Sequence, residues 1–201
     1  MSTPQERYDE TFVDEDWYAR DLSGERYREC VFREVDLTEA TGTGAVFESC
    51  TFANCRFNAS EHVEAVFAGC TFERTSWFDA TLEGCKLLGS VFVGCTLRPL
   101  TVRGGSWRAV VIRGADLTRL DLAGLPLQEA DLADSDLRGT SLRGADLTRA
   151  VLRGANLSGA DLRGAALAGI DLTGARLRDT RMDLAGAVAV AEQQGVLVDE
   201  A

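Results

Sequence analysis

The sequence lacks the residues and motifs on which most enzymes and metal proteins depend. It contains one histidine, His62, and its six cysteines include no Cys-x-x-Cys pair. Metal binding and acid–base catalysis need several converging groups, so a structural role is expected for His62 although Glu61 and Glu64 lie beside it. Phosphate-loop, Gly-x-Ser-x-Gly and His-Glu-x-x-His motifs are also absent. The sequence therefore predicts a protein that is not an enzyme and has no catalytic residues, metal or cofactor.

Long apolar segments are missing as well. The first seven residues are polar, and the longest uncharged apolar run, 184–191, is far shorter than a membrane-spanning helix. We therefore expect no membrane association and a cytoplasmic location. Acidic residues outnumber basic ones by 32 to 21, which gives a net charge of −11. This balance argues against direct nucleic-acid binding and for a protein partner with a basic surface.

A five-residue period dominates the chain. Between Phe12 and Met182, every fifth residue is a large apolar one except Gly42 and His62, and no insertion interrupts the 35 units. All six cysteines fall two residues before this central position, and 16 of the 20 glycines fall two residues after it. The period fits neither a helix nor a simple strand, and it predicts a solenoid with buried central and small residues and a turn at the glycine position.

The most regular repeats carry a recognisable motif. Ala145-Asp146-Leu147, Ala155-Asn156-Leu157 and Ala160-Asp161-Leu162 match the A(D/N)LXX motif of the pentapeptide-repeat family, which this sequence resembles. In that family four pentapeptides form one square coil, so the resemblance implies an all-β, right-handed quadrilateral β-helix. At a coil spacing of about 4.8 Å, the repeats from 12 to 182 would form a rod of about 42 Å. Residues 1–11 are predicted to be an acidic N-terminal tail.

The segment 183–201 departs from the five-residue rule and is predicted to hold a short C-terminal helix followed by a strand. Asp183 is expected to cap a helix of about 184–194, and Gly195 to end it. Two roles remain open for this segment: a cap that seals the last coil, or a cap that also forms a symmetric homodimer. The predicted dimer interface is Leu184, Ala187, Val188, Ala191, Val196, Leu197 and Val198.

A set of aspartates directly precedes the central leucines and forms the candidate partner-binding surface: Asp116, Asp121, Asp131, Asp136, Asp146, Asp161 and Asp171. Short polar side chains at corners also cap turns, so a structural role is the alternative. Since residues 20 apart share a face, Asp116 and Asp136 are expected to stack with Asn156. Neighbouring arginines are expected to pair with some of these acids.

Residues 87–101 and the segment 183–198 are similar to the MfpA/Qnr group of fluoroquinolone-resistance proteins. The resemblance implies a dimeric rod that imitates B-form DNA, binds DNA gyrase, and inhibits it or protects it from fluoroquinolones or a natural-product toxin. The unbroken register leaves no room for the projecting loops of Qnr proteins, which favours inhibition or MfpA-like protection. The average charge is dilute, about one per 4 Å of rod against one per about 1.7 Å of duplex DNA. The alternative is a scaffold or adaptor for a partner other than a topoisomerase.

Overall fold

The computed structural model describes residues 6–193 and 195–199, in which short strands precede one C-terminal helix. The strands are β1 (Glu6–Tyr8), β2 (Thr11–Val13), β3 (Arg26–Arg28), β4 (Val31–Arg33), β5 (Thr41–Thr43), β6 (Val46–Glu48), β7 (Thr51–Ala53), β8 (Glu61–Val63), β9 (Val66–Ala68), β10 (Thr71–Glu73), β11 (Ala80–Glu83), β12 (Val91–Val93), β13 (Leu100–Arg103) and β14 (Val111–Ile112). The helix, α1, spans Leu184–Gln193.

The strands form three parallel sheets in which every residue pairs with the residue 20 positions away. The sheet orders are β1-β3-β6-β9, β14-β12-β10-β7-β4-β2 and β13-β11-β8-β5. A fourth face consists of single bridges such as Asp16 with Asp36, and similar bridges continue the ladders as far as Arg181. Twenty residues therefore close one four-sided coil. This confirms the predicted all-β quadrilateral β-helix with its short C-terminal helix.

The central residues of the repeats fill the interior in stacked columns. Phe32 stacks on Phe52 with ring centroids 4.5 Å apart, and Phe57 stacks on Trp77 at 4.1 Å. From Leu97 onward leucines supply most of this core. The small residues two positions earlier are also inside, and five of the six cysteines are buried. The apolar core therefore runs along the rod and depends on every coil being covered by its neighbours.

The corners of the coils adopt a left-handed backbone conformation. From Asp9 to Asp179, every fifth residue has a positive φ except Pro99. Sixteen of these corner residues are glycines, as the position of the glycines in the repeat predicts, but side-chain-bearing residues such as Asp14 (φ 53°) and Arg119 (φ 60°) adopt the same conformation. The closely packed coil thus imposes a conformation that most residues avoid.

The solenoid extends further toward the N-terminus than predicted. Glu6–Tyr8 pairs with Arg26–Arg28, so residues 6–11, predicted to belong to a tail, are part of the coils. The apolar rule fails here because Arg7 occupies the central position, with its guanidinium carbon 5.6 Å from the ring centroid of Phe12. The remaining predicted tail, residues 1–5, lies outside the described residues.

The C-terminal segment agrees with its predicted helix and departs from its predicted strand. Residues 184–193 are helical, whereas Gln194, the last residue of the predicted helix, lies outside the described residues. Residues 196–198 form no strand, so the strand prediction for them is wrong. Within the described ranges, no helix has the length and hydropathy needed to cross a bilayer.

Candidate partner-binding surfaces

All seven candidate aspartates have a structural role at the beginning of a turn. The backbone N–H of Thr118 donates to Asp116 Oδ1 at 3.0 Å, and that of Thr148 donates to Asp146 Oδ1 at 3.0 Å. The same bond, from the residue two positions on, is present at the other five. Each aspartate therefore fixes the turn that follows its strand position, as short polar side chains do in tight turns.

The structure distributes these aspartates over all four faces of the rod. Asp116 and Asp136 bridge in one column with Asn156, as predicted, whereas Asp121 and Asp161 lie in a second column. Asp131 and Asp171 share a third column, and Asp146 lies on the remaining face. The seven residues do not converge on one patch.

Most of these carboxylates are also neutralised by arginines. The ion pairs are Asp116–Arg98 at 2.9 Å, Asp131–Arg113, Asp136–Arg138 at 2.7 Å, Asp161–Arg143 at 3.2 Å, Asp161–Arg163 at 2.6 Å and Asp171–Arg153 at 2.9 Å. Hydrogen bonds from Thr173, and then the guanidinium of Arg153, lower the pKa of Asp171 to about 2. The C-terminal half of the rod consequently presents less free negative charge than its acid count suggests.

Unpaired carboxylates occur instead at the corners of the first coils, which the sequence analysis did not single out. These residues are Asp9, Asp14, Glu29, Glu34 and Glu39. In the part of the chain that the structure describes, no arginine or lysine nitrogen lies within 4.0 Å of their carboxylate oxygens. A groove of about 210 Å³ beside them is lined by Asp14, Glu15, Asp16, Glu34, Asp36 and Arg56. Their shared corner position was the available signal, but it was interpreted only as a glycine position.

The C-terminal helix packs on the last coil through the face opposite to the predicted dimer interface. Gly186 is buried, and Ala189 and Val190 pack against the core. A Cβ added at Gly186 would lie 3.4 Å from Leu167 Cδ1, so the helix approaches the coil closely there. Leu184 is 81% exposed and Leu197 is 91% exposed. The helix therefore covers the end of the rod and leaves a second, apolar face open.

Asp183 joins the helix to the solenoid. Its Oδ1 accepts the backbone N–H of Gly186 at 2.9 Å, and its Oδ2 accepts the N–H of Gly164 at 2.8 Å. These bonds lower the pKa of the Asp183 carboxyl. At the other end of α1, Val196 N–H donates to Ala191 O, and Gly195 has a φ of 80°. The predicted N-cap and C-cap residues therefore both take the predicted roles.

Comparison with known proteins agrees with this architecture. Residues 28–60, 127–164 and 155–185 match the family model for pentapeptide repeats in eight copies. The pentapeptide repeat protein MfpA of Mycobacterium tuberculosis (strain ATCC 25618 / H37Rv) is 42% identical over 71 residues, which are 35% of this chain and 39% of MfpA. The match thus spans well under two thirds of that relative.

Two solved structures of trypsin-treated QnrB1, a plasmid-mediated fluoroquinolone resistance protein, superpose on the chain with TM-scores of 0.81 and 0.64. The alignments cover 98% and 97% of this chain and 98% and 100% of theirs, at 18% identity, which shows a shared fold. The 20-residue coils, the matched repeats and this superposition together show that the chain belongs to the pentapeptide-repeat proteins and is similar to the MfpA/Qnr group.

Proposed function

We propose that this protein is a non-enzymatic binding rod that occupies the DNA-binding surface of DNA gyrase. By doing so it inhibits the enzyme or protects it from fluoroquinolones or a natural-product toxin. The similarity to MfpA and the fold shared with QnrB1 support this choice of target. The single observation that carries the proposal is the set of unpaired carboxylates at the corners of the first coils.

The spacing of these carboxylates is close to that of charge on DNA. Glu29, Glu34 and Glu39 occupy three corners of one coil, and Asp9 and Asp14 lie on the coil before it. With about 4.8 Å per coil, five carboxylates on two coils give one carboxylate per about 1.9 Å of rod. Duplex DNA carries one per about 1.7 Å. The dilute average charge of the whole rod therefore conceals an acidic end whose density suits a basic DNA-binding surface.

A gyrase supercoiling assay tests the proposal directly. The wild-type protein should change supercoiling, or change drug-stabilised cleavage when a quinolone is present. Glu29, Glu34 and Glu39 should be replaced together by glutamine. The protein concentration needed for a half-maximal effect should then rise about tenfold, because the loss of three rim charges at about 0.5 kcal/mol each amounts to that factor. No effect of the wild-type protein at concentrations far above that of the enzyme would contradict gyrase binding.

A triple variant of equal charge change serves as the matched control. This variant replaces Asp131, Asp161 and Asp171 by asparagine. Each asparagine keeps the oxygen that accepts the turn N–H, but the variant loses three carboxylates that already pair with arginines. We expect a smaller loss from this variant than from the corner variant. A larger loss would place the contact on the candidate aspartates of the C-terminal half instead.

The homodimer is a further part of the proposal. We propose that two copies meet through the exposed apolar face of the C-terminal segment, in a symmetric contact that lengthens the rod to about 80 Å at the same coil spacing. Leu184 and Leu197 are large apolar side chains left in water by the single chain. A second copy of the same segment would cover both.

A scaffold or adaptor role is the second candidate. It is favoured by the ion-paired, nearly neutral C-terminal half of the rod, which offers little to a DNA-binding surface. A pull-down from cell extract distinguishes the two functions. Recovery of a partner unrelated to topoisomerases that survives moderate salt would favour the scaffold over gyrase.

A further inference from the structure

The hydrogen-bonded ladder between coils is interrupted at one level of the rod. Elsewhere a central residue donates its N–H to the carbonyl 19 residues on, as in Trp77 to Thr96 (2.8 Å) and Leu117 to Asp136 (2.9 Å). Between residues 94–104 and residues 113–123, all of which are described, the corresponding bonds from Leu97 and Val102 are absent. We call this level the seam. Two adjacent faces of neighbouring coils are therefore not joined by their backbones there.

Pro99 lies in the coil on one side of the seam. It occupies a corner, where every other described residue from Asp9 to Asp179 in this position of the repeat has a positive φ. The proline ring holds φ near −65° and leaves no N–H, so this corner cannot adopt the shared conformation or donate a bond. The hydrogen bond at this corner is displaced by one residue, because the N–H of Asp79 donates to Pro99 O rather than to the carbonyl of residue 98. The 20-residue register is restored directly afterwards, because Ala80–Glu83 pairs with Leu100–Arg103. The irregularity is therefore confined to the Pro99 corner.

A basic groove opens at the seam. It has a volume of about 480 Å³ and is lined by Arg98, Thr118, Arg119, Arg138 and Gly139. Sites for small molecules fall between about 300 and 1,000 Å³. Three arginines around one groove are unexpected in a chain with a net charge of −11. The groove is therefore a local exception to the acidic character of the rod.

The arginines keep donors available in spite of their neighbours. Arg98 pairs with Asp116 and Arg138 pairs with Asp136, so two of the three positive charges are offset. Each guanidinium has five N–H donors, and these pairs use only some of them. Within residues 6–193 and 195–199, no carboxylate oxygen lies within 4.0 Å of a side-chain nitrogen of Arg119. The groove therefore retains one uncompensated positive charge and a surplus of donors.

We propose that Arg98, Arg119 and Arg138 bind a phosphate-type oxyanion in this groove, either free phosphate or the phosphoryl groups of a small molecule. Guanidinium groups bind tetrahedral oxyanions through paired N–H donors, which suits a site built from arginines. Arg98 lies on one side of the seam, and Arg119 and Arg138 lie on the other. A bound anion would therefore connect the two coils where the backbone does not.

Titration with pyrophosphate at constant ionic strength tests the proposal, by calorimetry and by thermal unfolding. We expect saturable binding of one pyrophosphate per chain and a rise in the melting temperature. Arg119→Gln should weaken pyrophosphate binding at least tenfold. Arg119→Lys keeps the charge but not the planar donor group, so its affinity should lie between those of the wild type and Arg119→Gln. Because no gyrase is present, failure of this experiment is separate from failure of the proposed function.

Arg149→Gln is the matched control. Arg149 occupies the same corner position with φ 57°, and its Cγ lies 3.4 Å from the Cβ position of Gly169, as that of Arg119 lies 3.5 Å from the Cβ position of Gly139. We expect pyrophosphate binding by this variant to equal that of the wild type. Equal weakening by Arg119→Gln and Arg149→Gln would overturn the proposal, because it would indicate general attraction of anions.

Separate titrations identify the source of the anion. Binding of inorganic phosphate supports a free-anion site. Binding of ADP, in the absence of any binding of inorganic phosphate, supports a site for a phosphorylated small molecule. In both cases the binding must weaken in Arg119→Gln. Absence of saturable pyrophosphate binding, or binding of a short DNA duplex alone, would overturn the proposal.

Discussion

Replacement of Leu147 by alanine tests the register of the whole solenoid. Leu147 is fully buried, and its neighbours in the same column are Leu127 and Leu167. Its N–H donates to Ala166 O in the next coil at 2.9 Å, and the adjacent Asp146 O accepts the N–H of Leu127 in the preceding coil at 2.8 Å, so the backbone is held from both sides. The coils therefore cannot collapse into the space left by the lost methyl groups. We expect a cost of about 2 to 5 kcal/mol in unfolding free energy.

For a chain of this size, that cost corresponds to a fall in melting temperature of about 4 to 20 °C. Thermal unfolding followed by circular dichroism, together with urea titration, measures it. The matched control is Leu88→Ala, because Leu88 is 51% exposed and a surface substitution changes stability by about 0.5 kcal/mol or less. Equal effects of the two variants would show that Leu147 is not an interior residue, and the assignment of inward positions would be refuted.

Three further variants test other parts of the structure. Val188→Glu is expected to abolish the proposed homodimer, because an unpaired carboxylate would lie in the apolar contact; a two-chain mass in sedimentation would contradict that interface. Gly105→Ala is expected to lower the melting temperature more than Gly124→Ala, since the added Cβ would clash with the backbone oxygen of Cys85, whereas at Gly124 it meets nothing within 4 Å. Burial lowers the pKa of His62 from 6.5 to about 4. Between these pH values the unfolded chain binds a proton that the folded chain does not, so the free energy of unfolding should fall as the pH drops from 6.5 to about 4. His62→Leu should remove this part of the pH dependence, and melting curves near pH 7 and pH 4.5 that differ equally in both proteins would contradict the reasoning.

The repeat architecture could be predicted because its periodicity is simple. A large residue at every fifth position, a small one two places earlier and a glycine two places later define the inside, the packing and the corner of each coil. The same register placed Asp116, Asp136 and Asn156 in one column, which the bridges confirm. Each assignment depends on local chemistry repeated many times, so single exceptions such as His62 do not disturb it.

The structure differs from the sequence-based predictions where a residue was assigned from its type alone. Arg7 is charged, yet its guanidinium carbon lies 5.6 Å from the Phe12 ring centroid, so the apolar rule placed the start of the coils too late. The apolar residues 196–198 look strand-like, but the structure gives them no strand. The effect of Pro99 depends on its corner position, which the motif alone does not reveal. The corner acids were missed because side chains tolerate a positive φ when neighbouring coils impose it.

The pairing of each residue with the one 20 positions away also constrains how such a chain can change in length. Deletion of 20 residues removes one complete coil, and the faces of the remaining coils stay aligned. Deletion of five residues instead rotates everything beyond the deletion by about a quarter turn, so a surface that faced one side of a bound protein would face another. Insertions or deletions of multiples of 20 residues therefore change the length of the rod. Other multiples of five also change the direction in which the later faces point.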